Sequence, residues 1–339
     1  MLKKIGKKII LKIPEIKRIV EERNQLRQEQ KQLHQDLNQL HQEKVSILEK
    51  NEQAFHLLSL KEQNKLIETE YPYYPKCRNW LNKPSIKKLI KNLESNDLKY
   101  INILQKFAKY EKRFLEIPVY NQEDLPLTEP FWSNSWIPGL DSISLYGFVA
   151  ERNPRYYLEV GSGNSTKFVR KAITNHNLKT QIISIDPHPR AEINSLCDQI
   201  IRQPLEDVDY SLFETLTSDD ILFIDNSHRS FPNSDVTVFF LEILPNLPKG
   251  LLYGIHDIFL PYDYPEYWKD RYYNEQYLLA VYLLGGANGD EIVLPNGYLS
   301  DFKPNLKEPL QSVFSHPSLK GIEPWGGIFW MQRSPHQED

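Results

Sequence analysis

The chain has 339 residues, of which 40% are hydrophobic and 25% charged, as in an ordinary globular protein, and this length predicts a main domain with an accessory region. A net charge of −4 argues against nucleic-acid binding, which favours a basic domain. The two cysteines, Cys77 and Cys197, are far apart, which argues against a disulfide framework or a cysteine zinc site. So few cysteines are typical of proteins in a reducing cytoplasm.

The first 13 residues, MLKKIGKKIILKI, place apolar residues on one side of a helix and lysines around them. This pattern suits a helix that lies on an anionic membrane surface, and it equally suits a solvated basic end. Lys12 interrupts the apolar stretch and no small-residue cleavage site follows, so we expect the segment to be retained. No apolar run approaches the roughly 20 residues that span a bilayer. We predict a cytoplasmic protein, with peripheral membrane contact through residues 1–13 left open.

Residues 14–66 contain no glycine and carry a seven-residue apolar repeat. The residues that recur at every seventh position are Ile19, Leu26, Leu33, Leu40 and Ile47. Such a repeat keeps one stripe of a helix facing a partner helix. A second position of the repeat would also face the partner helix, and it holds both apolar and polar residues: Ile16, Leu37, Arg23, Gln30 and Lys44. We predict that residues 1–70 comprise the basic start and a coiled coil that makes the protein a homo-oligomer; the alternative is a single helix packed on its own domain.

Residues 71–150 are predicted to form a helical connector or cap. Two runs have helical periodicity, SIKKLIKNLES and YINILQKFAKYEKRFL, and they follow the turn-rich YPYYPKCRNW. The segment LPLTEPFWSNSWIPGLD then gathers Pro, Trp, Phe, Asn and Ser ahead of a predicted helix at 142–151. Its aromatic residues either form a lid or seal the edge of a domain.

Over residues 151–335, short apolar runs alternate with helical segments. The runs that predict strands are 156–160, 181–186, 198–202, 220–225 and 251–257, followed by EIVLP and GGIFWMQR. The clearest predicted helices are 165–173, 234–244 and 274–284. Repeated strand–helix units predict an α/β domain whose parallel sheet has helices on both faces.

The motif LEVGSGNST combines a buried strand, a glycine turn and the start of a helix. Gly161 and Gly163 allow the backbone to turn tightly and to approach a ligand closely. Ser165 or Thr166 can cap the helix, whose N-terminus points into the cleft. A dinucleotide site would have Gly or Ala where this chain has Thr166. Glu159, just before the turn, instead suits a ligand with an ammonium group.

An acid ends the next predicted strand. QIISID finishes in Asp186, where a carboxylate can accept hydrogen bonds from both hydroxyls of a bound ribose. The same side chain could also cap the following helix, and the two roles are compatible. Together with the glycine turn, Asp186 predicts a ligand that contains a nucleoside.

Two acids and two histidines are predicted to meet at one edge of the sheet. FIDNSH contains Asp225 and His228, and GIHD contains His256 and Asp257. Ligands of such sheets bind beyond the carboxyl ends of the strands. The four side chains could bind a divalent metal, or they could deprotonate a hydroxyl, since imidazole titrates near neutrality. A structural role, in which the histidines hydrogen-bond the loop backbone, is the alternative.

These motifs together resemble the class I S-adenosylmethionine-dependent methyltransferases, and more narrowly the bacterial methyltransferase family 24. The resemblance spans about residues 132–333 and excludes the predicted coiled coil. It implies a Rossmann-like seven-stranded domain with S-adenosylmethionine as cofactor. By the family pattern, the glycine turn holds the methionine part and the acid after the second strand holds the ribose, which implicates Glu159, Gly161, Ser162, Gly163 and Asp186.

The resemblance also implies an acid that faces the adenine, and Glu206 or Asp207 stands at the expected place after the third strand. The predicted cofactor-binding set further includes Ser165, Thr166 and Asp225.

Oxygen methyltransferases of the catechol and macrolide-sugar kinds hold magnesium with acids after two of these strands. The resemblance therefore implies Mg²⁺ on Asp225 and Asp257. Those enzymes usually have a paired Asp-Asp or Asp-Asn at the second site, where this chain has His256-Asp257.

We therefore expect methylation of a hydroxyl group on a sugar, glycan or small molecule. His228 or His256 is the predicted base, with Asp225 and Asp257 orienting the histidines or a metal. Two alternatives remain. One is an NAD-dependent Rossmann oxidoreductase, and the other is a non-catalytic coiled-coil scaffold that retains a nucleotide pocket.

Overall fold

The computed structural model describes residues 14–63, 65–67, 69–189 and 191–334. Contacts between residues divide the chain into two units, Met1–Tyr74 and Pro75–Asp339. Residues 1–13, for which the sequence leaves peripheral membrane contact open, lie outside the described residues. Among the described helices, none is both long enough and apolar enough to cross a membrane.

The described part of the first unit is dominated by one helix of 49 residues, α1 (Pro14–Glu62). Proline at the first helical position has no N–H to leave unsatisfied, and the helix-forming residues Glu, Gln, Lys and Leu follow it. None of the described side chains of α1 is buried, and Leu33 of the apolar repeat is 70% exposed. The predicted long helix is confirmed. Its pairing with a second copy stays a prediction.

Four helices precede the sheet in the second unit: α2 (Pro84–Glu94), α3 (Asp97–Ala108), α4 (Glu111–Leu115) and α5 (Gly139–Arg152). They share the core of the sheet. Phe107 of α3 packs edge-to-face on Phe148 of α5 at 5.0 Å between ring centroids, and Phe148 packs on Trp330 at 4.8 Å. The helices predicted as a connector or cap therefore lie against the sheet; the domain boundaries at 70 and 150 stay predictions.

Seven strands form one sheet: β1 (Tyr156–Val160), β2 (Gln181–Ile185), β3 (Gln199–Ile201), β4 (Ile221–Ile224), β5 (Leu252–Ile255), β6 (Glu291–Pro295) and β7 (Phe329–Gln332). Their order is β3-β2-β1-β4-β5-β7-β6. The first five strands are parallel, and β7 pairs antiparallel with both β5 and β6. The predicted seven-stranded Rossmann-like sheet is confirmed.

The remaining α-helices of the described chain are α6 (Asn164–His176), α7 (Ser211–Glu214), α8 (Asp235–Val238), α9 (Glu275–Leu284) and α10 (Gln311–Phe314). The predicted helix at 234–244 is irregular. After α8 the chain continues as a π turn over Phe239–Ile243 and a 3₁₀ turn over Leu244–Asn246. Pro245 has no N–H to continue an α-helical ladder.

The strand order reverses between β1 and β4, because β2 and β3 lie on one side of β1 while β4 and β5 lie on the other. A parallel sheet leaves a crevice beyond the carboxyl ends of its strands at such a switch point. The loops after β1, β2, β4 and β5 meet there, and they carry the motifs predicted to bind ligand.

Candidate functional site

The loops at the carboxyl edge of the sheet surround a cavity of about 600 Å³. Most of the predicted site residues line it: Gly161, Ser162, Gly163, Ser165, Asp186, Glu206, Asp225, His228, His256 and Asp257. The structure therefore brings together residues that follow five different strands. The side chains of Glu159 and Thr166 lie elsewhere, beneath the glycine turn.

The turn after β1 depends on Gly161, which has a φ of +76°. A Cβ atom at this position would lie 1.8 Å from the backbone oxygen of Asp225, so no other residue fits there without moving the β4 loop. The Gly161 N–H donates to the Ile185 oxygen at 2.9 Å, and the Asp225 N–H donates to the Val160 oxygen at 2.8 Å. These bonds hold the first turn against the ends of β2 and β4.

Glu159 is fully buried under this turn rather than on the wall of the cavity. Its carboxyl group accepts hydrogen bonds from Ser165 Oγ at 3.1 Å, from Tyr157 Oη at 3.3 Å and from the hydroxyl of Thr166. Thr166 Oγ1 also accepts the Gly163 N–H at 3.1 Å. Thr166 and Glu159 thus form a buried support for the glycine turn, and their predicted contact with the cofactor stays a prediction.

Burial raises the pKa of Glu159 to about 8, although hydrogen bonds from Thr166, Ser165 and Tyr157 work in the opposite direction. The folded state therefore keeps a proton that the unfolded state loses near its ordinary pKa. Stability should fall as pH rises from about 4.5 towards 8, and the loss should be complete above pH 8.

Glu159→Gln should remove this pH dependence. Between pH 5 and pH 8, its free energy of unfolding relative to wild type should rise by on the order of a few kcal/mol. Urea unfolding at several pH values measures the difference, and exposed Glu242→Gln is the control. A difference that stays constant between pH 5 and pH 8 would show that Glu159 is ionised in the folded protein.

Asp186 is half-buried at the end of β2, and backbone donors fix its carboxylate. Its Oδ2 atom accepts the Ser162 N–H at 2.9 Å, and its Oδ1 atom accepts the His188 N–H at 2.8 Å. The Ser162 hydroxyl also donates to Oδ2, at 3.4 Å. Each carboxylate oxygen has two lone pairs, so Oδ1 can still accept a hydroxyl from a ligand, and Oδ2 can do so if the Ser162 hydroxyl turns away. Of the two candidates for the adenine, Glu206 lies on the cavity wall.

The four predicted catalytic side chains form a compact group, which we call the His–Asp cluster: Asp225, His228, His256 and Asp257. Nε2 of His228 lies 3.3 Å from Oδ1 of Asp225 and 3.3 Å from Oδ2 of Asp257. Nδ1 of His256 lies 3.2 Å from Oδ1 of Asp225 and 3.5 Å from Oδ1 of Asp257. The predicted convergence of the β4 and β5 loops is thus present as direct contacts.

Two carboxyl groups outside the predicted set hold the other nitrogen of each histidine. Nδ1 of His228 lies 2.9 Å from Oε2 of Glu275, and Nε2 of His256 lies 3.2 Å from Oδ2 of Asp141. Both acids are fully buried. Asp141 also accepts the backbone N–H groups of residues 327 and 328, at 2.7 Å and 2.9 Å, so its position is fixed.

The backbone of the His–Asp cluster is unusual. His228 and Asp257 have φ angles of +59° and +57°, in the left-handed region that non-glycine residues seldom adopt. Such conformations persist only where the surroundings impose them, and they concentrate at functional sites. Here the His228 side chain lies against both Asp225 and Asp257, and the Asp257 side chain lies against both histidines.

The electrostatics of the cluster favour charged imidazoles. Burial would lower the pKa of His228, but the charge of Asp257 and hydrogen bonds to Asp225 and Glu275 raise it well above its usual range. Burial would likewise lower the pKa of His256, and the charges of Asp257 and Asp225 raise it instead. Burial would raise the pKa of Asp225, but the two histidines hold it well below its ordinary value.

Part of the cavity wall comes from residues outside the predicted catalytic and cofactor-binding set. They include four aromatic side chains and one cationic one: Trp136, Trp268, Arg271, Tyr273 and Trp325. Arg271 stacks over the ring of Trp268 at 4.0 Å from the centroid. Trp136 belongs to the aromatic segment for which the sequence left a lid or an edge seal open, whereas Trp325 stands in no pattern that would have indicated it.

The segment that carries the site is similar to a known protein family. Residues 158–258 match the profile of family 24, which is described as a methyltransferase domain. Over these residues the chain is similar to that methyltransferase domain. The matched segment runs from Leu158 in β1 to Ile258, so it includes the glycine turn and the whole His–Asp cluster.

An uncharacterised protein from Archaeoglobus fulgidus is 31% identical to the chain over 90 residues, which are 25% of this chain and 41% of that protein. Among solved structures, the S-adenosylhomocysteine-bound Podospora anserina methyltransferase PaMTH1 is 12% identical, with 79% of this chain and 100% of that chain covered and a TM-score of 0.37. The plantazolicin methyltransferase BpumL, also solved with S-adenosylhomocysteine, is 12% identical, with 76% and 93% covered and a TM-score of 0.32.

Proposed function

We propose that the methyltransferase domain transfers a methyl group from S-adenosylmethionine to a hydroxyl oxygen of a sugar, glycan or small molecule. The observation that carries this proposal is the shared cavity: the glycine turn and Asp186 line one part of it, and the His–Asp cluster lines another. A methyl donor and a group able to handle the acceptor's proton would thus meet within a single site.

The residues present fit S-adenosylmethionine. The turn Gly161–Gly163 would receive the methionine part, Asp186 would accept the ribose hydroxyls, and Glu206 would face the adenine. The cavity of about 600 Å³ falls within the usual range of small-molecule sites, roughly 300–1,000 Å³. The cofactor supplies the activated methyl group, while the protein aligns it with the nucleophile.

The acceptor would lie against the aromatic part of the wall. Trp268, Tyr273 and Trp325 offer ring faces, and Arg271 adds a positive charge beside them. Aromatic walls with a few polar groups are typical of sites that orient a small ligand. This composition supports a sugar or another ring-containing acceptor with a free hydroxyl.

In the proposed reaction, S-adenosylmethionine held by the glycine turn and Asp186 would supply the methyl group; the acceptor oxygen would bond to it as the carbon–sulfur bond breaks, and the sulfur would keep the electron pair. The acceptor's proton passes to the His–Asp cluster. A histidine with a raised pKa already holds a proton at neutral pH, so it can take another only after passing its own to a neighbouring carboxylate. We therefore propose that the cluster accepts the proton as a unit.

The experiment that tests cofactor binding is calorimetric titration of Asp186→Ala with S-adenosylhomocysteine. Loss of the charge-assisted bonds to the ribose, which contribute about 1.5–3 kcal/mol each, should weaken binding at least about tenfold. Asp207→Ala, a neighbouring acid that is not part of the cavity wall, should bind as wild type does. Equal affinity of Asp186→Ala and wild type would remove Asp186 from the cofactor site.

A further inference from the structure

Two arginines on the cavity wall lie around one aromatic ring. The guanidinium carbon of Arg229 is 5.0 Å from the ring centroid of Tyr273, and that of Arg271 is 5.6 Å from the same centroid. A hydrogen bond links the two positions, because Nε of Arg229 donates to the backbone oxygen of Arg271 at 2.8 Å. All three residues line the cavity, and we call them the arginine–tyrosine group.

The positive charges of this group are not balanced by acids within the described part of the chain. There, neither guanidinium has a carboxylate at ion-pairing distance, and Arg229 donates to the backbone oxygens of Arg271 and Ser227. Arg271 lies over the Trp268 ring, 4.0 Å from its centroid, and its side-chain N–H groups donate to none of the described residues. Such stacking orients a guanidinium and leaves the N–H groups at its edge available to a ligand.

The nearby acids of the same wall have other partners. Asp225 and Asp257 contact the two histidines of the His–Asp cluster. Asp235 accepts hydrogen bonds from the N–H and the hydroxyl of Ser227, at 2.8 Å and 2.6 Å. A bound anion would offset the repulsion between the two arginines. The planar fork of a guanidinium can also donate two parallel hydrogen bonds to a carboxylate or a phosphate.

The arginine–tyrosine group lies on the half of the site away from the acids proposed to hold the ribose and the adenine. Arg229 follows β4 and Arg271 lies between β5 and α9, whereas those acids follow β2 and β3, on the other side of β1. The ring centroid of Tyr273 is 4.7 Å from that of His228. An anion held here would therefore lie next to the His–Asp cluster, which is proposed to receive the acceptor's proton.

We propose that the methyl acceptor carries a carboxylate or a phosphate group, which Arg229 and Arg271 bind while the acceptor's hydroxyl faces the His–Asp cluster. This acceptor class rests on the proposed function, because it specifies what the same site would methylate. Since a single ring separates the anion site from His228, the charged group and the hydroxyl would belong to one small unit of the acceptor. Uronic acids, sugar phosphates and hydroxybenzoates have this arrangement, whereas neutral sugars and phenols do not.

The test is calorimetric binding of matched probes to the full chain, with and without saturating S-adenosylhomocysteine. Each anionic probe is compared with a neutral counterpart: D-glucuronate and glucose-6-phosphate with D-glucose, and salicylate with phenol. At least one anionic probe should bind about tenfold or more tightly than its counterpart, as expected for one charge-assisted hydrogen bond. The probe that binds best distinguishes a carboxylate from a phosphate. Equal or tighter binding of every neutral counterpart, or no binding of any anionic probe by the folded wild type, would overturn the proposal.

Variants of the arginines locate the anion. In Arg271→Gln, the ratio of anionic to neutral affinity should fall at least about tenfold. Arg271→Lys should keep part of the preference, because lysine retains the charge but not the paired N–H groups. Lys269→Gln removes a cation from the same 3₁₀ helix, Glu266–Arg271, and should bind the probes as wild type does, since Lys269 pairs with Glu266 at 3.3 Å and is not part of the cavity wall. Thermal unfolding checks that each variant is folded.

The outcomes separate this proposal from the proposed function. An unchanged affinity ratio in both Arg271→Gln and Arg229→Gln would place the anion elsewhere and overturn the proposal. So would an equal loss of affinity for S-adenosylhomocysteine and for the anionic probe in Arg271→Gln, because the arginine would then serve the cofactor. Methylation of neutral acceptors as fast as of anionic ones would overturn it while leaving methyl transfer intact. Binding selective for the anionic probe and dependent on Arg271, without any methyl transfer, would support the anion site and count against the proposed function.

Discussion

Methyl transfer by Asp225→Asn is expected to fall at least about a hundredfold, the lower end of the loss expected when proton transfer is removed. Asp225 contacts both histidines of the His–Asp cluster, at 3.3 Å and 3.2 Å, and its side chain is the most exposed of the four on the cavity wall, at 29%. Replacing its charge by an amide of the same shape breaks the path for the acceptor's proton. Affinity for S-adenosylhomocysteine should change little, because the cofactor's methionine and ribose parts would lie against other residues.

The rate is measured as S-adenosylhomocysteine formed with the acceptor that gives the fastest turnover in wild type, chosen from a panel of sugars and phenols. Alanine at position 228, 256 or 257 should cause a loss of similar size. His188→Ala, at an exposed position of the same wall, should keep its activity. Full activity in both His228→Ala and His256→Ala would exclude the histidines from the reaction.

The second large effect concerns helix α1. The double variant Leu33→Asp with Leu40→Asp should convert an oligomer into a monomer. These side chains are 70% and 62% exposed, in an apolar repeat that continues along the helix. Burying such a stripe against a second copy would remove apolar surface from water at about 25 cal/mol per Å². Acids in the seam would face like charges across the interface, so the association should be lost.

Light scattering of the full-length protein measures this change in mass. Gln35→Asp with Gln42→Asp has the same spacing and the same added charge on the opposite side of the heptad, so it should leave the mass unchanged. The same mass for wild type and the leucine double variant would contradict the prediction.

The sheet could be predicted from the sequence because its central strands are buried on both faces and appear as continuous apolar runs. β1 was predicted with the bounds that the structure gives, and the longer predicted runs each contain one strand. The glycine turn and Asp186 were equally predictable, since their chemistry is tied to positions next to a strand. The local sequence pattern was sufficient to predict a residue's role where that role depends only on the strand or turn that carries the residue.

The acids that contact the two histidines of the site were less predictable. Asp141 and Glu275 lie in helices α5 and α9, and only tertiary packing brings each against a histidine. Neither stands in a motif that would indicate this role. Tertiary packing also decides the environment of Glu159. Its position beside the turn was evident from the sequence, but its burial under three hydroxyl groups depends on how α6 packs on β1.

The central claim is that the cavity at the carboxyl edge of the sheet is a site for S-adenosylmethionine. Titration of the wild-type chain with S-adenosylhomocysteine and, separately, with NAD⁺ tests it most directly, because these ligands distinguish the two chemistries that such a sheet supports. We expect one molecule of S-adenosylhomocysteine per chain with a dissociation constant of about micromolar, or roughly −8 kcal/mol, and no binding of NAD⁺. Binding of NAD⁺ without binding of S-adenosylhomocysteine would contradict the assignment.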